Sequence, residues 1–275
     1  MKGRLPRVIR HVLRYLIWAI TLENIKSNIR TLERDCRTLK DYYELIRSVR
    51  NPLLRSYALL LPIQKENEIL RLLEGASRLQ LRSVAEIGTG SGGVTYLLSK
   101  AAQGNATIVT LDINMPLWRK RLVEAYAQRK QTIIAIKADS HRQDTVRRVR
   151  ESLHGNRLDL LFIDGDHSYD GVKRDFLNYS PLVRKGAWIV FHDIVPDFKT
   201  RYGIHMGGCA GGVPKFWSEI KHHHRSFEIV QDYHQDACGI GVLIWNGREI
   251  ERSKQVAHPF RSARSVCKKY DKGIR

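Results

Sequence analysis

Residues 162–176 read FIDGDHSYDGVKRDF. Asp164, Asp166 and His167 fall within four positions of one another, just after an apolar run. Further on, GAWIVFHDI (186–194) closes a second apolar run with His192 and Asp193. In open α/β sheets ligands bind in the crevice beyond the carboxyl ends of the strands. Two adjacent strand ends would therefore bring Asp164 beside His192 and Asp193, a set able to hold a divalent cation. Carboxylates suit Mg2+, and a histidine ligand moves the preference towards Mn2+ or similar ions. His167 and Asp166 stand beside that set as groups able to exchange a proton. A hydroxyl is a poor nucleophile until a metal lowers its pKa and a nearby base takes its proton. An imidazole, with an ordinary pKa of about 6.5, suits that task near neutral pH, so His167 is preferred. The plainer use of an aspartate after a strand is to cap the next helix, and Asp164 or Asp166 could simply start YDGVKRDF.

A glycine-rich turn lies upstream, in EIGTGSGG (86–93). Gly88, Gly90 and Gly92 allow a sharp turn and a close backbone approach to a ligand, with Thr89 between the first two. Gly88, Gly90 and Gly93 satisfy G-x-G-x-x-G, and Asp112 ends the next strand where a ribose-binding acid is expected. Nicotinamide enzymes and enzymes that use S-adenosylmethionine share this feature, because both hold an adenosine ribose by its hydroxyls.

The elements that would position these residues alternate along the chain. Apolar strands at 83–88, 107–112, 132–139, 158–164 and 186–193 are separated by helical patterns, which argues for a parallel sheet covered on both faces. Two further strand-like runs, 227–233 and 239–245, have no helix between them and read as an antiparallel pair at one sheet edge. IQKENEILRLLEGA (63–76) reads as a helix ended by Gly75. Between the fifth strand and the last pair, the glycine-rich 203–220 reads as a lid over the acceptor that could contribute His205 or Trp217; the plainer reading is a long loop before a helix. The four cysteines show no metal-binding or disulfide spacing and read as free thiols.

Charge is concentrated in the flanks. The chain has 275 residues and a formal net charge of +19; residues 1–55 hold 13 Lys and Arg against 5 Asp and Glu, and residues 247–275 hold 9 against 3. Residues 4–20 have helical apolar periodicity with a cationic face, which suits either peripheral contact with an anionic membrane or packing on the core or a second subunit. No run reaches the ~18–20 apolar residues of a membrane span. The expected organisation is a basic helical extension (1–62), a central domain (63–246) and a basic tail (247–275). The expected location is cytoplasmic, with membrane association and homo-oligomerisation open.

With Glu86 ahead of the glycines, E-x-G-x-G-x-G resembles motif I of the class I methyltransferases that use S-adenosylmethionine. The terminal antiparallel pair fits that family's seven-stranded sheet. IDGDHSYDGVKRDF with GAWIVFHDI is more specifically similar to the cephalosporin hydroxylase group and to macrocin-type, metal-dependent O-methyltransferases. The resemblance spans about residues 63–246. It implies a Rossmann-like, mostly parallel α/β sheet of seven strands with helices on both faces, and S-adenosylmethionine as cofactor. It implies contacts to that cofactor from Glu86, the glycine loop, Asp112 and Asp164, with Asp139 and Ser140 near the adenine. It implies Mg2+ or Mn2+ on Asp164, His192 and Asp193, although relatives carry an acid where this chain has His192. The acceptor class implied is a sugar, a glycan precursor or a glycosylated metabolite, with His167 or Asp166 as the general base, His167 preferred. The alternatives are an RNA methyltransferase, prompted by the charge, and a non-catalytic module docking through its flanks. Nucleic acid is disfavoured, because no N/D-P-P-Y/F motif is present and the basic residues are not interleaved with aromatic stacking platforms.

Overall fold

The computed structural model describes residues 23–49, 61–128 and 130–248, without residues 24 and 28. The expected cationic helix over 4–20 and nearly all of the basic tail lie outside the described residues. Seven strands make one sheet: β1 (Ser83–Ile87), β2 (Thr107–Asp112), β3 (Thr132–Lys137), β4 (Leu158–Ile163), β5 (Val183–His192), β6 (Arg225–Ile229) and β7 (Ile240–Ile244). Their order is β3-β2-β1-β4-β5-β7-β6. β1 to β5 pair in parallel, β7 runs antiparallel to β5, and β6 antiparallel to β7. This is the expected seven-stranded sheet with its antiparallel pair at one edge. Strand order reverses between β1 and β4, so the crevice above those two strand ends is the topological switch point where such sheets bind ligands.

Successive side chains of a strand point to opposite faces, and the core divides accordingly. Val84, Ile108, Leu160, Phe162 and Val190 pack with α1 (Leu39–Ser48), α2 (Glu66–Ser77), α3 (Gly93–Ala101) and α4 (Leu117–Glu124). Ala85, Ile87, Val109, Leu161, Ile163 and Phe191 face the other layer with α5 (Gln143–Ser152) and α6 (Tyr169–Tyr179). After the short α7 (Phe198–Tyr202), α8 (Val213–Ile220) completes that layer. α1 starts with a reciprocal capping box between Thr38 and Asp41. The segment ahead of it is tied to α3 by Lys100, whose side chain is buried 2.7 Å from Glu33 and 4.6 Å over the Tyr96 ring.

Three expectations change. α2 runs past Gly75 to Ser77, so this glycine is not a helix stop. A Cβ there would lie 3.0 Å from the Trp188 ring, so packing on the sheet sets the residue's size. β6 ends at Ile229, short of the anticipated 233. Its continuation leaves the ladder for the buried carboxylate of Glu68, which accepts hydrogen bonds from Gln231 N (3.0 Å), Gln235 Nε2 (2.9 Å) and Gly239 N (2.8 Å). Cys36 and Cys238 are free, whereas Cys209 is disulfide-bonded, against the expectation of a free thiol there. Among the described residues no helix is long and apolar enough to cross a membrane.

Phe176 locks α6 to the sheet. It is fully buried, with ring centroids 6.0 Å from Phe191, 5.7 Å from Phe216 and 5.8 Å from Trp245. Phe176→Ala should destabilise the protein by about 3–5 kcal/mol, measured by urea unfolding. A loss below about 1 kcal/mol would mean that α6 is not anchored by this cluster.

Candidate active site

The loop leaving β1 turns on glycines. Gly88 has φ +92°, and a Cβ on it would lie 2.0 Å from the carbonyl oxygen of Asp164. No larger residue fits between the glycine loop and the end of β4. Gly92 (φ +92°) makes the turn into α3, whereas a Cβ on Gly90 (φ +52°) would meet only open space. Asp112 receives the loop at the end of β2: its Oδ2 accepts from Gly90 N (2.9 Å) and its Oδ1 from Asn114 N (2.7 Å). Glu86 lies beneath, only 1% exposed. Its Oε2 accepts hydrogen bonds from the hydroxyls of Thr95 and Thr110, and Thr89 Oγ1 is 2.6 Å from Thr110 Oγ1. After β3, Asp139 Oδ1 accepts from His141 N (2.8 Å), and the Ser140 carbonyl accepts from the Tyr179 hydroxyl (2.9 Å), tying that loop to α6.

The ends of β4 and β5 bring the second set together. His167 Nε2 and His192 Nδ1 are each 3.2 Å from Asp164 Oδ1. His192 Nδ1 is 3.5 Å from Asp193 Oδ1, and His167 Nδ1 is 3.2 Å from Asp193 Oδ2. His167 Nδ1 is also 2.6 Å from the carbonyl of Cys209. That carbonyl can only accept, so Nδ1 carries a proton and Nε2 is the nitrogen free to exchange one. The lid loop is held onto this histidine by its backbone. Gly212 N donates to the His167 carbonyl (2.7 Å), and a Cβ on Gly211 would lie 2.3 Å from that same oxygen.

Asp166 is engaged differently. Its Oδ1 accepts from Ser168 N (2.8 Å), and its carboxyl sits where a Cβ on Gly171 would be, so it organises the start of α6. Trp217 does not reach the lid. It is 2% exposed in the core and donates to Glu228 Oε1 (2.6 Å), which corrects the substrate-facing expectation; His205 is exposed. Two residues of the cluster had no sequence indication. Gln64 donates from Nε2 to Asp164 Oδ2 (2.6 Å) across a separation of 100 residues. Cys238 lies close enough to His192 and Asp193 for the three to share an ion, with all donor atoms within 4.8 Å of one another. Asp164, His167 and Asp193 form a second such group.

Residues 85–194, which contain the glycine loop and both strand ends, match the family model described as "Methyltransferase domain". That match covers 110 of the 275 residues. The fold of the chain is similar to that of the O-methyltransferase from Bacillus cereus in complex with SAH, with 15% identity over 81% of this chain and 99% of that one, at a TM-score of 0.52. It is similar also to the O-methyltransferase TomG from Streptomyces achromogenes in complex with SAM, with 20% identity over 69% of this chain and 83% of that one, at a TM-score of 0.51. The uncharacterized protein R132 of Acanthamoeba polyphaga mimivirus is 55% identical over 38 residues, 14% of this chain and 17% of that protein. The uncharacterized protein y4gI of Sinorhizobium fredii is 30% identical over 100 residues, 36% of this chain and 9% of that protein. The matched segments thus span less than a fifth of either relative.

Burial and neighbouring charges shift the titratable groups of both sets. Burial alone would lower the His167 pKa, but the hydrogen bond to Asp164 and the charges of Asp193 and Asp164 outweigh it and raise it to about 9. His192 is likewise raised by Asp193 and Asp164 against its burial. Asp164 is held low by the two imidazoles in spite of its burial, whereas burial raises Asp193. Burial pushes Glu86 up to about 8, beyond what its bonds from Thr110 and Thr95 offset. A carboxyl raised from 4.5 to about 8 binds its proton more tightly in the folded state. Its contribution to stability therefore falls as pH rises through that window, by up to about 1.4 kcal/mol per pH unit. Glu86→Gln should flatten that part of the pH–stability curve and gain on the wild type towards pH 8. Parallel curves for the two proteins in thermal unfolding from pH 5 to 8 would contradict the assignment.

Proposed function

We propose that this chain is an S-adenosylmethionine-dependent O-methyltransferase, assisted by a divalent metal ion and acting on a hydroxyl of a sugar, glycan precursor or glycosylated metabolite. The observation that carries this reading is the contact between the two halves of the site. The loop suited to the methyl donor lies directly on the backbone of Asp164, whose side chain belongs to the acid–imidazole cluster. The residues fit the donor: the open space at Gly90 admits a ligand against the backbone, and Asp112 has each oxygen oriented by one amide with further lone pairs free for ribose hydroxyls. They also fit a cation, because Asp164, His192 and Asp193 converge, with His192 Nδ1 3.2 Å from Asp164 Oδ1 and 3.5 Å from Asp193 Oδ1.

When bound, the donor supplies a methyl group already activated on sulfonium, and the ion supplies charge that lowers the pKa of the acceptor hydroxyl. The protein's own part is positioning and proton handling. Asp112 and the glycine loop orient the donor. Glu86 secures that loop from below through Thr95 and Thr110. His167 takes the acceptor proton at Nε2, while the Cys209 carbonyl fixes the tautomer at Nδ1. Asp164 and Asp193 hold a proton on His167, and a cation on those carboxylates would weaken that hold. The exposed Tyr202 at the end of α7, with Ile204 and Met206 on the loop that reaches His167, offers apolar surface for the face of a sugar or its aglycone.

Calorimetric titration with S-adenosylhomocysteine should show micromolar binding. Asp112→Asn should weaken it at least about tenfold, equivalent to about 1.4 kcal/mol. Asp164→Asn should leave this binding within about threefold, because its side chain serves the acceptor half. No binding by the wild-type protein would overturn the donor assignment.

A further inference from the structure

Asp193 faces two ways. Its Oδ2 turns to His167, and its Oδ1 turns to His192 and to the turn before β7. On that second side stands Cys238, a free thiol that is only partly exposed. The backbone fixes it there. Cys238 N donates to Asp193 Oδ1 (2.7 Å), and the Cys238 carbonyl accepts from Val195 N (3.0 Å). Ala237 and Cys238 both adopt left-handed backbone conformations, with φ of +63° and +62°, and Asp193 opposite them has φ +63°. This turn sets the thiol beside the ring of His192, which is 2% exposed and whose Nε2 makes no hydrogen bond. A buried, unpartnered imidazole nitrogen is costly unless it has a ligand.

We propose that His192, Asp193 and Cys238 form a position for a thiophilic divalent ion, of the Zn2+ or Co2+ kind, next to the oxygen-richer group of Asp164, His167 and Asp193. Imidazole and thiolate donors select such ions, whereas Mg2+ prefers oxygen ligands and several waters. On binding, the Cys238 S–H gives its proton to solvent and the sulfur forms the metal–thiolate bond; no electron transfer is involved. The inference rests on the metal-assisted reading above through the shared His192 and Asp193, and it changes the identity of the ion. It needs nothing from the methyl donor.

The test is a Co2+ titration of the full chain in thiol-free buffer, followed by absorption. A thiolate-to-cobalt charge-transfer band should grow in the near ultraviolet and saturate at one equivalent. Cys238→Ser should lose the band and bind Co2+ at least about tenfold more weakly, whereas Asp164→Asn should keep the band. Saturating Zn2+ should also slow iodoacetamide alkylation of wild-type Cys238 at least about tenfold, by peptide mass spectrometry, which requires no variant to fold. Co2+ binding without the band, a band that survives Cys238→Ser, no Co2+ binding, or unprotected Cys238 would each overturn the inference. S-adenosylhomocysteine calorimetry on the same preparation separates the two claims. Donor binding without the band overturns only this inference, and the band without donor binding overturns only the methyltransferase reading.

Discussion

The site depends on one close approach. β1 and β4 are paired neighbours at the reversal of strand order, and the chain leaving β1 must cross the end of β4. Asp164 N donates to the Ile87 carbonyl at 2.8 Å, and the next residue along the loop, Gly88, has room for a hydrogen only. That contact sets the height of the glycine loop above the sheet. It also fixes the backbone of Asp164, and with it the carboxylate that gathers His167, His192 and Gln64. A single absent side chain thus couples a ligand loop to a charged cluster.

The cluster itself balances carboxylates against imidazoles. Two carboxylates and two imidazoles lie in a largely buried space, where unpaired charge is expensive. The carboxylates raise both histidines, and the two imidazoles hold Asp164 low. Binding a cation would therefore release protons, as metal sites with protonatable ligands do. The histidine at 192 and the thiol at 238 make the donor set softer than carboxylates alone.

Much of this was legible in the sequence, for a physical reason. Strands buried on both faces write themselves as unbroken apolar runs, and the parallel arrangement forces their carboxyl ends to one edge. Hence Asp112, Asp164, His192 and Asp193 could be placed at a common crevice from local pattern alone. What local pattern lacks is the partner brought in from far along the chain. Gln64 reaches Asp164 because the segment before α2 folds under the loop, and Cys238 reaches Asp193 because β7 returns antiparallel to β5. Gly75 misled for a similar reason: a glycine inside a helix reads as a stop unless the Trp188 ring packed on it is known. Asp166 shows the opposite case, where the plainer expectation of a helix-start residue matches the hydrogen bond to Ser168 N.

The central claim is that the donor loop and the acid–imidazole cluster form one continuous site. The most direct measurement is the relaxation of the S-methyl protons of bound S-adenosylmethionine by NMR, with Mn2+ added as a paramagnetic probe. Strong relaxation enhancement that disappears when Asp164 and Asp193 are both replaced by Asn would place the methyl group next to the cluster, as the account predicts. Bound donor and bound Mn2+ with no enhancement would put the two ligands in separate places and contradict it.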